Sequence, residues 1–375
     1  MTDILLTAAG VLLLLFVVYD VYATILHARG RSGPLSETLY RTVWRLARWL
    51  AARRRPERRH QTLNAVGPIL LPLLIGAYIL LLVIAFALIY VPRMPAQFVV
   101  APQSVTAPLS DALYFSGITL VTVGYGDIAP HTPQMRIVAL IEGASGFALI
   151  SLGVTYLITV YSALERKRII ALSFYHQAEE GADAAGFIAH HFVAGRFIGL
   201  EAVLRIAARD LQEMLESHIE HPVIHFFHPV QVHKSFPRVL FLLLETCAVI
   251  RSCLDEEAYR ELRDHPEVRT LEASGRHVLN ELTRALNLKH GADVRREPPA
   301  VEEQRWRRRY ERTIKLLDAT GISTRRDAEA GWASYRTRRE EWEAQLNYFA
   351  RFLGYGWEEL ISNRNPSESK ERDEG

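Results

Sequence analysis

Residues 122–127 read Thr-Val-Gly-Tyr-Gly-Asp, and the chemistry open to such a run lies in its backbone. Gly124 and Gly126 accept positive φ without Cβ strain, so the chain can alternate between right- and left-handed conformations. Successive carbonyls then face one axis. Oxygens from Thr122, Val123, Gly124 and Tyr125 could replace the water around a dehydrated cation, with the Thr122 hydroxyl adding a ligand below them. Val123 and Tyr125 would point outward, and Asp127 would stand at the outer mouth. A Gly-Tyr-Gly turn also occurs in ordinary loops, so the flanking elements decide.

Those elements are of the kind required. Ser110 and Asp111 offer an N-cap and a first-turn acid for a short apolar helix over residues 110–120. Its negative C-terminal end would face the cation. Residues 66–91 form an uncharged apolar run long enough to cross a bilayer, and residues 134–164 form another beyond Pro130 and Pro133. Gly143, Gly146 and Gly153 interrupt the second run. A helix-interior glycine costs ~1 kcal/mol relative to alanine, and it permits bending or close helix approach. We read Gly143 and Gly146 as a hinge, with close packing as the competing reading. Val154, Ile158 and Ser162, four apart, share one helix face and could form an inner constriction that gates by excluding water. Glu142, an acid inside the second run, either hydrogen-bonds to the short helix or a neighbouring subunit, or couples pH to the glycine loop.

Spanning helix, half-length helix, glycine loop, spanning helix is the order of a potassium-channel pore. Residues 64–165, roughly a quarter of the chain, resemble the two-helix pore module of the potassium channel superfamily. The resemblance implies passive conduction of K+, the permeant ion, with no cofactor and no catalytic residue: a channel and not an enzyme. One glycine loop per chain cannot close a ring, so it also implies a homotetramer. Tyr114 and Phe115 stand where the family places aromatic residues that brace the filter, and Gly146 falls at its inner-helix hinge. Ile118 stands where some bacterial members carry an acid that pairs with the filter Asp, so the resemblance leaves Asp127 without a partner. The tyrosine of Gly-Tyr-Gly implies potassium selectivity. A weakly selective cation channel of the same fold, and a membrane-anchored sensor with a non-conducting pore-like domain, stay open as alternatives.

A third apolar run, residues 4–26, lacks the basic start and small-residue cleavage site of a signal peptide and reads as one more spanning helix within residues 1–28. Arginines crowd residues 29–63, Arg93 stands alone before the short helix, and Arg166, Lys167 and Arg168 follow the last run. By the positive-inside rule the N-terminus and filter loop lie outside and the C-terminal half lies in the cytoplasm, as in a plasma or bacterial inner membrane. Asp20, near the inner end of the first helix, could reach interfacial arginines. Arg41, Arg45, Arg48 and Arg53 alternate with Trp44, Leu46, Trp49 and Leu50. Only one helix precedes them to carry counter-charges, so residues 29–63 read as a basic amphipathic segment on anionic inner-leaflet lipid, not as a voltage sensor.

From residue 166 apolar residues recur at helical spacing: Ile169, Leu172; Leu200, Val203, Leu204; Val239, Leu240, Leu243; Leu271, Val278, Leu282. We divide this half into a helical domain over 166–296, a helical pair over 297–362 (helices 301–319 and 325–353) and a polar, disordered tail over 363–375. Arg295 to Ala300 would be a linker. The fold class is thus an all-α membrane protein: a pore domain, an extra N-terminal transmembrane helix and an all-helical cytoplasmic domain. No G-x-G-x-x-G follows a strand, which argues against a dinucleotide-binding domain. Two cysteines, Cys247 and Cys253, argue against a disulfide framework. His218, His221, His225, His228 and His233 read as packing or surface residues, with metal or proton sensing as the alternative. The formal charge of +2 says nothing about partners until it is mapped; the run Arg305–Arg309 reads as a solvated helix face or a contact to anionic lipid, and nucleic-acid binding is not expected beside a membrane pore. The sequence assigns no regulatory ligand or partner to this half.

Overall fold

The computed structural model describes residues 1–27, 32–100, 107–178, 183–286, 288 and 299–362. Arg29, Arg31, most of the expected linker and the expected tail lie outside them. Three helices are long and apolar enough to cross a membrane: α1 (Thr2–Val21, continued by a π turn Tyr22–Leu26), α4 (Val66–Tyr90) and α6 (Pro133–Gln177). The chain falls into two compact units, residues 1–45, 67–162 and 221–223, and residues 46–66, 163–220 and 224–375.

In the first unit α1 packs on α4 at Gly10, where an added Cβ would lie 2.5 Å from the Ala85 carbonyl oxygen. Small residues permit this approach, as is usual between membrane helices. Among the described residues Asp20 meets no arginine, in contrast to the expectation above. It is fully buried and accepts from Leu35 N (2.7 Å), Ser36 Oγ (2.6 Å) and Tyr78 Oη (2.7 Å). The carboxylate thereby satisfies the N-terminal amides of α2 (Pro34–Ala52), a better partner than a flexible side chain in water. α2 is amphipathic, but its two tryptophans divide. Trp44 is buried with Tyr40, Ala47 and Ala51, while Trp49 is exposed under the Arg53 guanidinium, 3.4 Å from ring centroid to Cζ.

The short helix, α5, spans Pro108–Leu120, two residues earlier than Ser110 suggested. Pro108 takes the first helical position, where its missing N–H costs nothing. Ser110 does not cap; its hydroxyl donates back to the Ala107 carbonyl at 3.0 Å. Strand β1 (Phe98–Val100) pairs antiparallel with β2 (Ile128–Pro130) and ties the chain before α5 to the chain after the glycine loop. α6 does not stop at residue 164. Ala163 to Arg168 are good helix formers without a breaker, so the helix runs on to Gln177.

Among the described residues the second unit is helical, apart from a small hairpin of β3 (Phe192–Val193) and β4 (Arg196–Phe197) and a single bridge between Leu254 and Thr324. At its centre lies α9 (Phe236–Cys253), buried at every position except Arg251. Around it pack α7 (Ala184–His190), α10 (Arg260–Arg263), α11 (Pro266–Ala285), α12 (Pro299–Ala319) and α13 (Ala328–Glu340), while α8 (Leu200–Glu220) packs on α11. The helix expected over 325–353 is broken. α13 ends at Glu340, Trp342 leaves helical geometry to bury its ring against Phe241, and α14 (Glu343–Phe352) restarts before a further helix, α15 (Trp357–Ser362). The C-terminal part thus has four helices where a pair was expected.

Glu245, on the central helix, is almost fully buried and accepts from Tyr335 Oη (2.5 Å), Arg309 Nε (3.0 Å) and Arg339. Arg339 also holds Glu343 (Nε to Oε2, 2.7 Å), which takes a bond from Arg305 at 2.6 Å. So the basic run at 305–309 is not simply a solvated face: two of its arginines close a buried ion network. Removing one member of such a network strands the others and typically costs about 3–5 kcal/mol. Glu245→Ala is expected to lower the unfolding free energy of this unit by that amount, read as a fall in the midpoint of tryptophan-fluorescence melts, with Glu245→Gln intermediate.

Candidate functional site

The glycine loop is built from the end of α5 upward. Thr122 N donates to Thr119 O at 3.1 Å, and the amides of Val123 and Gly124 both donate to Ile118 O, at 2.8 and 3.2 Å. A trans peptide sets its N–H and C=O on opposite sides. The carbonyls of Val121, Thr122 and Val123 are therefore turned away from the short helix. Gly124 and Gly126 have φ of 57° and 82°, and Thr122 joins them at 60°. Left-handed backbone costs a non-glycine residue roughly 1–2 kcal/mol, so Thr122 stores strain that residue type alone did not reveal. Residues 121–126 are exposed in the single chain, Tyr125 by 73 %.

The supporting residues divide. Phe115 is buried against Tyr90 and Phe98, with ring centroids 5.2 Å away in both cases. Tyr114 lies on the exposed side, with its hydroxyl near Asp127. Asp127 thus has a polar neighbour even though Ile118 offers no acid.

Glu142 is fully buried behind the loop. It accepts from Tyr90 Oη on α4 at 2.7 Å and from Ser116 Oγ on α5, while Ser116 Oγ also lies 3.0 Å from Val83 O. One carboxyl group on α6 joins all three helices of the module. Neither Tyr90 nor Ser116 is marked by its local sequence; only a search for donors to an intramembrane acid could have raised them. Gly146 meets the short helix directly, since a Cβ there would lie 1.9 Å from Leu120 O, whereas at Gly143 the nearest atom would be 3.8 Å away. Val154, Ile158 and Ser162 are all exposed along one face of α6.

The five histidines do not converge. His221 packs edge-on to Tyr156 and His233 stacks on Tyr175 at 4.1 Å. His218 and His225 are buried 4.9 Å apart, ring to ring. Burial, with Lys167 nearby, holds His218 well below its ordinary value and pushes His225 down to about 3. His228 meets His60, a residue that the sequence pattern did not connect with it. Among the described residues no group of three or more His, Cys, Asp or Glu is placed to hold a metal. Cys247 and Cys253 are buried and unbridged.

A family described as ion channel matches residues 78–163. The chain is 30% identical over 250 residues to an uncharacterized membrane protein, YdjJ, of Bacillus subtilis (strain 168), across 66% of this chain and 70% of the relative. It is 37% identical over 65 residues to two-pore potassium channel 5 of Arabidopsis thaliana. It is 30% identical over 91 residues to two pore potassium channel c of Oryza sativa subsp. japonica. These two matches cover 17% and 24% of this chain, and the chain spans only 16% and 20% of the plant channels' length. No solved structure matches.

The two glycines of α6 are expected to respond differently to substitution. Gly146→Ala forces a methyl group into a backbone carbonyl, an overpacking that costs about 1–3 kcal/mol, whereas Gly143→Ala is neutral or gains helix propensity. Thermal melts of the two variants in detergent check the difference.

Proposed function

Because the chain belongs to the potassium channel superfamily, carrying its pore module behind an extra N-terminal membrane helix, we propose that it conducts K+ passively and selectively as a homotetramer. The observation that carries this reading is the loop backbone. Three alternate residues are left-handed at 122, 124 and 126, and the amides of Val123 and Gly124 are turned back onto Ile118. Four copies around an axis would set rings of carbonyls from Thr122, Val123, Gly124 and Tyr125 in the path of the ion, with the Thr122 hydroxyl below. Exposure of Val123 and Tyr125 in one chain supports their burial against neighbouring copies.

In this reading Gly126 completes the filter, and Tyr114, Phe115 and Asp127 brace it. The exposed face with Val154, Ile158 and Ser162 lines the inner vestibule. Gly143 leaves room for bending, while Gly146 seats α6 on the end of α5 and sets how far such bending can go. The filter faces outward across the cell membrane, and the second unit lies in the cytoplasm. The exposed face of α2, with Leu46 and Trp49, and Arg53 just beyond the helix, rests on anionic inner-leaflet lipid. No cofactor is needed, since the work is done by desolvation and replacement of ligands.

Purified protein in liposomes is expected to carry K+ down its gradient, with a reversal potential in mixed K+ and Na+ near that for K+. Gly124→Ala places a Cβ at φ 57° in every copy, a strain of roughly 4–8 kcal/mol over four chains, and is expected to abolish the flux. Equal passage of Na+ would replace this reading with a weakly selective channel, and absence of flux from folded wild-type protein would leave a non-conducting sensor.

A further inference from the structure

Within the second unit, α3 (Pro56–Asn64) carries His60, which is almost fully buried. Both ring nitrogens are engaged. Nδ1 lies 2.7 Å from His228 Nε2, and Nε2 contacts Glu359 Oε1 on α15. His228, also buried, places its Nδ1 3.0 Å from the Leu353 carbonyl oxygen. The rings of His60 and His228 stack at 5.0 Å and 5°, and Tyr355 stacks on both, at 5.6 and 4.3 Å.

Proton counting fixes the state of this chain. There are three junctions: carboxylate to His60, His60 to His228, and His228 to carbonyl. Each needs one proton. A carbonyl only accepts, so the proton at the last junction belongs to His228 Nδ1. Two neutral imidazoles supply two protons in all, and an ionised carboxylate supplies none. With two protons, one junction would set two acceptors against each other in a buried site, leaving both unsatisfied. The observed geometry therefore holds a third proton, which balances the charge of Glu359.

The neighbours are consistent with this. Burial, then His60, hold His228 well below its ordinary value; Lys167 on α6 and Arg59 on α3 act in the same direction, and the hydrogen bond to Leu353 opposes them. Burial works to raise the Glu359 carboxyl, but the bond and charge of His60, the Gly356 amide and Arg59 bring it below the usual carboxylate range. Packing surrounds the chain: Asn64 Nδ2 donates to His228 O at 2.7 Å, and a Cβ on Gly354 would lie 2.7 Å from Leu63. Ala65 alone separates α3 from the outer membrane helix α4.

We propose that His60, His228 and Glu359 form a proton-binding latch that fastens the segment leading into the outer membrane helix to the C-terminal end of the helical unit. The latch is closed while the third proton is bound. It opens as pH rises and that proton leaves, because the His60–Glu359 junction then faces two acceptors. Falling pH opens it only below the usual carboxylate range, where Glu359 itself is protonated. The latch goes beyond the conduction reading, and its test does not depend on ion flux.

Hydrogen exchange of full-length protein, corrected for intrinsic rates, reads the protection of amides 57–64. In the wild type, protection is expected to fall at least about tenfold between about pH 6 and about pH 9. Glu359→Gln separates a latch from a merely structural contact. Its amide can donate to His60 Nε2 and still accept from Gly356 N, so two neutral rings satisfy all three junctions without the third proton. Protection in Glu359→Gln is therefore expected to stay high and flat across the same range. Wild-type protection that does not change with pH would overturn the proposal, as would a Glu359→Gln profile that parallels the wild type.

Discussion

A peptide unit points its N–H and its carbonyl in opposite directions, and at Val123 and Gly124 both N–H groups are committed to the Ile118 carbonyl. Everything the loop does with its oxygens follows from that commitment, so the placement of the last turn of α5 controls the site. That turn is fixed from several sides. Leu120 is pressed by the bare backbone of Gly146, Phe115 sits among Tyr90 and Phe98, and Ser116 is bonded to Glu142. The β1–β2 ladder holds the far side, where the chain leaves the loop. The strain at Thr122 is sustained by these contacts, which lie in the scaffold and not in the loop.

Sequence alone carried the pore module because its signals are local. The glycine pair at 124 and 126, the apolar lengths of α4 and α6 and the proline at the start of α6 act within a few residues of themselves. It did not reach the partners of the buried polar groups. Asp20 meets Ser36 and Tyr78, Glu142 meets Tyr90 and Ser116, and His60 meets Glu359 across 299 positions. No periodicity connects such residues; only the packing of helices does. The helix over 325–353 failed for a related reason. The residues around the break, Arg338 to Glu341 and Glu343 to Leu346, are good helix formers, yet burying Trp342 against Phe241 outweighed the one turn that had to be broken.

The helical unit is organised as a shell around one apolar helix. α9 pays for its burial with a single acid, Glu245, which must be met on all sides by Tyr335, Arg309 and Arg339. A wholly apolar helix could slide or rotate among its neighbours at little cost. Glu245 fixes its rotation and its register against α12 and α13, a use of buried charge that specifies one arrangement more than it stabilises it.

The three-way bond at Glu142 also has a consequence for biogenesis. A lone acid near the middle of a spanning helix costs about 2.5–3.5 kcal/mol on insertion. The chain is synthesised from its N-terminus, so α4 with Tyr90 and α5 with Ser116 leave the ribosome before Glu142 does. The acid enters the bilayer last, with both of its hydroxyl donors already present. Asp20 has the reverse order, preceding Ser36 by 16 residues and Tyr78 by 58. The first helix must therefore hold Asp20 without its Tyr78 donor until the second spanning helix, α4, is made, and the final packing of α1 waits on α4.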